Sequence, residues 1–72
     1  MRIQVQRTRW LGGLTDAEYH LGMHVRIATH ARHFAKDGDR ENARIFGRTA
    51  RQHFEWYLGY KAREQKAAGA AA

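Results

Sequence analysis

Lys36-Asp37-Gly38-Asp39-Arg40 reads as a break between two helices. Gly38 supplies a residue able to adopt the left-handed conformation that ends one helix, and Asp39 supplies a side-chain oxygen to cap the next. Working upstream, Leu14-Thr15-Asp16-Ala17-Glu18 offers Thr15 as an N-cap with Glu18 three positions later as its reciprocal partner, and Asp16 sits favourably against the helix dipole. A first helix is therefore expected from this point to about Lys36. Downstream, a second helix is expected from about Arg40 to Gln65, uninterrupted by proline. The run from Lys66 to Ala72 is low-complexity Ala/Gly, which either frays or prolongs the helix. The expected architecture is all-α, an antiparallel helical hairpin over residues 14–65 followed by a tail at 66–72.

Before the hairpin, Arg2 to Trp10 alternates, with Ile3 and Val5 on one side and Arg2, Gln4, Gln6 and Thr8 on the other, until Gly12-Gly13 ends the pattern. That period of two predicts a short N-terminal strand or arm over residues 1–13.

A chain of 72 residues supports one small domain with a thin core, and with no cysteine it has no disulfide to compensate. A homo-oligomer is expected on that ground. The apolar arc of helix 2 points the same way, because it spans about half the circumference, more than one partner helix covers. Two hairpins packing into a four-helix bundle would bury it. Neither a secretory signal nor the roughly 20-residue apolar run of a membrane helix is evident, so the expected location is the cytoplasm.

At about 100° per residue, Ala17, His20, Leu21, His24, Ile27, Ala28, Ala31, Phe34 and Ala35 fall within one arc of helix 1. The corresponding arc of helix 2 carries Ala43, Phe46, Ala50, His53, Tyr57 and Tyr60, broadened by Ile45, Phe54 and Trp56. Counting outward from Gly38 places His24 level with His53, and His20 one turn further out beside Tyr57. Three chemistries suit such a cluster: a hydrogen-bonded polar core with Tyr57, Tyr60 and Thr49; a transition-metal site such as zinc held by His20, His24 and His53, with Asp16 orienting His20; and a core that loosens when neutral imidazoles gain protons near pH 6. His30 and His33 fall on the outer face. The metal reading lacks an evident carboxylate ligand and the Glu-x-x-His pattern of carboxylate di-iron bundles.

Charge supplies the second constellation. The formal charge is +6 with a pI near 10.5, carried mostly by arginine, since lysine occurs only at 36, 61 and 66. An anionic partner is implied, although coding composition alone also produces arginine-rich and alanine-rich surfaces. Arg40, Arg44, Arg48 and Arg51 gather into a stripe about 80° wide on the side of helix 2 opposite its core arc. Glu41 and Glu55 are candidates to pair with part of it. With Arg2, Gln4, Gln6, Arg7 and Arg9 on the arm, the chain carries the donor types that contact phosphates and base edges. Trp10 and Trp56 suit a core or dimer interface first, and base stacking second.

Arg2-Ile3-Gln4-Val5-Gln6 followed by two helices resembles the ribbon-helix-helix repressors. The resemblance implies N-terminal strands paired across a dimer, with Arg2, Gln4 and Gln6 directed into a DNA major groove. The thirty or so residues from Gln6 to Gly38 exceed that family's compact first helix about twofold. Arg48-Thr49-Ala50-Arg51-Gln52-His53 has an Arg-x4-His spacing similar to that of ribonucleases of the HEPN class, which are longer four-helix domains. Other enzyme signatures are missing: no nucleophile elbow, no cysteine nucleophile, no phosphate loop around Gly12-Gly13, and only seven acidic residues, most at caps or on outer faces. The expected function is non-catalytic, a small basic nucleic-acid-associated accessory or regulatory protein that binds largely through arginine. The alternatives are a protein-interaction module docking an acidic partner through Tyr19 and Trp56, and a histidine-metal bundle.

Overall fold

The structure is a computed structural model that describes residues 12–71, with side chains for 12–69. The segment expected as a strand, with Arg2, Gln4, Gln6, Arg7, Arg9 and Trp10, lies outside the described residues apart from Gly12 and Gly13. Within the described residues there are two helices packed against each other and no strand: α1 (Asp16–Lys36) and α2 (Arg40–Ala71).

Each boundary has a local cause. At the start of α1 the Thr15 hydroxyl accepts from the Glu18 backbone N–H at 3.1 Å, and the Glu18 carboxylate accepts from the Thr15 N–H at 2.9 Å. Two backbone donors that the first turn leaves unpaired are thereby satisfied. At the other end Gly38 adopts φ +82°, its N–H bonds the Ala35 carbonyl at 3.1 Å, and the Asp39 N–H reaches back to the Phe34 carbonyl at 2.8 Å. This pair of bonds is the Schellman motif, and it folds the chain back along the last turn of α1. Asp39 then caps α2, accepting from the Asn42 N–H at 3.1 Å and from the Asn42 amide at 2.7 Å. The Ala-rich segment prolongs α2 as far as Ala71.

The Phe34–Asp39 bond sets the register of the hairpin. His20 and His53 are each fourteen residues away from it, one on each helix, and they meet. Side chains expected in the core split accordingly. Ala17 and Ala50 are buried, together with Thr15, but among the described residues no large side chain is fully buried. Leu21, Ile45, Phe54 and Trp56 are exposed instead, as is Ala35. One helix covers only a narrow strip of another, so the edges of both apolar arcs stay open.

The molecule measures 50 × 22 × 14 Å, a single layer of two helices, with a radius of gyration of 15.3 Å. A compact chain of this length has about 11 Å. It exposes 5963 Å², against about 4,600 Å² for a typical monomer of its mass. No described helix is long and apolar enough to cross a membrane.

Candidate functional site

Two groups of side chains stand out, one between the helices and one on the outer face of α2. In the first, His20 Nδ1 lies 2.9 Å from His53 Nδ1. One ring donates N–H and the other accepts through its lone pair, so the pair survives with both rings neutral or with one protonated, but not with both. Aromatic rings enclose His20: Tyr60 stacks on it with centroids 5.4 Å apart and planes 9° from parallel, Trp56 lies at 5.2 Å, and Tyr19 meets it edge-on at 5.0 Å. Trp56 also stands edge-on to His53 at 5.2 Å. Burial holds the His20 imidazole below its ordinary 6.5, His53 pushes in the same direction, and Asp16 draws it partly back up.

His24 does not join this pair. Its Nδ1–H donates to the Ala50 carbonyl at 2.8 Å, and its ring packs against Phe54 at 4.9 Å. The sequence-based height of His24 beside His53 is thus corrected by about one helical turn: His20 faces His53, and His24 faces the turn below it. The expected tyrosine and threonine hydrogen bonds are also replaced. Tyr60 stacks rather than bonds, Tyr57 packs on Phe54 at 5.8 Å, and Thr49 donates to the Ile45 carbonyl of its own helix.

Among the described residues no three His, Cys, Asp or Glu side chains gather as a metal-holding set. The His20 and His53 nitrogens also stand closer together, at 2.9 Å, than the roughly 3.3 Å separating two ligands of a tetrahedral zinc at 2.0–2.1 Å. Of the outer histidines, His33 is exposed, whereas His30 is exposed but approaches Phe46 with a centroid distance of 6.2 Å.

The second group is the arginine ridge. Arg40, Arg44, Arg48 and Arg51 are all exposed. Arg51 approaches Glu55 at 3.6 Å with both side chains well exposed, a contact of small energetic worth. Arg40, Arg44, Arg48 and Glu41 make no ion pair within the described residues. Arg48 and His53, which shared the Arg-x4-His spacing, diverge: Arg48 is on the outer face, and His53 is turned inward to His20. Beyond the ridge, an open notch of about 270 Å³ lies over Gly59, between Trp56, Tyr60, Glu55 and Arg63. Arg63 caps the Tyr60 ring at 5.2 Å, closing one end. Sequence reasoning missed this notch, whose signal is a glycine flanked by Trp56, Tyr60 and Arg63 at helical spacing.

No family model matches the sequence, and no curated protein or solved structure is similar to it.

Proposed function

We propose that this is a nucleic-acid-associated accessory or regulatory protein that binds the phosphate backbone through the outer face of α2 and acts as a dimer of hairpins. The observation carrying this reading is that Arg40, Arg44 and Arg48 recur every four residues on one exposed helix face with no carboxylate partner in the described residues. Guanidinium groups on such a face are free to make forked hydrogen bonds to phosphate oxygens. A straight ridge from Arg40 to Arg51 is about 16 Å long, enough to follow several phosphates of a duplex. The net charge of +6 adds long-range attraction to the same partner.

The test is fluorescence anisotropy of labelled DNA and RNA, duplex and single-stranded, titrated with the full chain across a range of salt. Four phosphate contacts predict a log–log salt slope of about −3.6 on duplex DNA. Undetectable binding at low ionic strength, or binding indifferent to salt, overturns the reading.

Docking of an acidic protein partner is a second reading, favoured by Trp56, which remains 46% exposed beside Arg63. It predicts that substituting Trp56 weakens capture more than substituting Arg44. The ridge-based reading predicts the reverse.

A further inference from the structure

We infer that the broad face formed by Leu21 and Val25 of α1 with Phe54 and Leu58 of α2 is the surface on which a second copy of this chain packs. The contacts between the helices settle which edges adjoin. His24 touches Phe54, whereas Tyr19 and His20 touch His53 and Trp56. Leu21 and Val25 lie about 60° and 100° round α1 beyond His24, and Leu58 lies about 40° round α2 beyond Phe54. All four therefore open onto the same side of the hairpin. In the register set by Phe34 and Asp39 they also fall within a few turns of one another, and each is a large apolar side chain left exposed: Val25 by 56%, Leu58 by 51%, Leu21 and Phe54 by 37%.

The opposite broad side differs. Its exposed apolar residues, Ile45 and Trp56, are eleven positions apart with exposed Thr49 and Gln52 between them, so they form no continuous patch.

Three observations select a second copy as the occupant. The hairpin is 14 Å thick, one helical layer, whereas a stable domain places two layers around its core. Its exposed area of 5963 Å² exceeds that of a typical monomer by about 1,300 Å², more than the roughly 800 Å² each partner contributes to a standard interface. Finally, none of the four residues is charged, while Glu18 and Arg32, each about 20° from Val25 round α1, and Arg51, about 20° from Leu58 round α2, flank the patch at its margin. A twofold axis through the patch pairs apolar with apolar and leaves these charges at the rim, where water screens them. Arg40, Arg44 and Arg51 lie within about 40° of Leu58 round α2, so the ridge borders this contact, and the dimer is tested in the absence of nucleic acid.

The experiment is sedimentation equilibrium of the full chain, with Val25→Lys and Ile45→Lys beside it. Both side chains are already half exposed, so lysine at either site leaves the isolated hairpin intact, which circular dichroism checks. The unsubstituted chain is expected at twice 8.4 kDa, with Val25→Lys raising the dissociation constant at least about tenfold, equivalent to 1.4 kcal/mol. Ile45→Lys is expected to match the unsubstituted chain. Raising salt is expected to tighten the dimer, because it screens +6 against +6. A monomer at all concentrations overturns the inference, as does a dimer that Ile45→Lys weakens and Val25→Lys does not.

Should Val25→Lys fail to fold, the cysteine-free background allows a direct proximity measurement. Single Leu21→Cys and Leu58→Cys chains are expected to oxidise to disulfide-linked dimers faster than Ile45→Cys. Equal rates at all three positions overturn the inference.

Discussion

His20 and His53 stand fourteen residues from the Phe34–Asp39 hydrogen bond along their respective helices and meet Nδ1 to Nδ1 at 2.9 Å. The contact ties the protonation of His20 to the seam between the helices. With Tyr19, Tyr60 and Trp56 around it and only Asp16 favouring the charged form, His20 holds its proton less tightly in the folded chain than in the unfolded one. Below pH 6.5 the unfolded chain gains a proton before the folded one does. The stabilisation is complete above 6.5 and is lost as pH falls through it, until His20 protonates in the folded state as well. Thermal unfolding followed by circular dichroism at fixed protein concentration is expected to show a lower midpoint at pH 5.5 than at pH 7.5, with the difference reduced in His20→Gln. An unchanged pH dependence in His20→Gln sinks this account.

The same pair makes a prediction about titration itself. Replacing His53 by Gln removes the charge that opposes His20 protonation, so the His20 midpoint is expected to move upward toward 6.5. Imidazole proton shifts in a pH series read it directly, and a downward movement contradicts the assignment.

Gly38→Ala is expected to cost about 1–2 kcal/mol, because φ +82° forces the new Cβ against its own backbone even though no other atom lies within 4 Å. Gly59→Ala, in open space within α2 and without positive φ, is expected to stabilise by about 0.5–1 kcal/mol. Urea unfolding of the two variants separates a turn requirement from ordinary helix propensity.

Thr15→Ala removes the buried hydroxyl that accepts from the Glu18 N–H at the start of α1. A loss of about 1 kcal/mol is expected, within the range for N-cap deletions. Thr15→Ser, which keeps the acceptor, is expected to recover most of it.

On the ridge, Arg48→Ala is expected to lower the salt slope of nucleic-acid binding by about 1. Glu55→Gln acts in the opposite sense. It frees Arg51 from its 3.6 Å contact and removes a negative charge, so affinity at low salt is expected to rise. A salt slope unaltered by Arg48→Ala would place the contacts elsewhere.

The helices were legible because their boundaries are written in local chemistry. Thr15 and Glu18 close a capping box and Gly38 takes the left-handed residue, both as the residue types require. The partnership of His24 was not legible, because counting outward from Gly38 assumes that both helices leave the turn at one height. The Asp39 N–H instead reaches back five residues to Phe34, lifting the start of α2 along α1 and bringing His20, not His24, opposite His53. The exposure of Leu21 and Trp56 was hidden for a different reason. A helical period shows which residues share a side, whereas the width actually covered depends on how many neighbours are present.

By that register, the first residue of α1, Asp16, is level with Tyr57, and α2 continues to Ala71. Those last fourteen residues, about 21 Å of helix, run past the level at which α1 begins, with only the Tyr60 ring among the described stacking contacts reaching back to His20. A free peptide of that length is marginally helical in water because its first turn is costly to start. Here the packed portion of α2 has already provided that first turn, so each further residue adds or leaves at the cost of elongation alone. Beyond Tyr60 the end of α2 is therefore a primed template, ready to be shortened or restored one residue at a time by temperature or by contact, without disturbing the stacking on His20 beneath it.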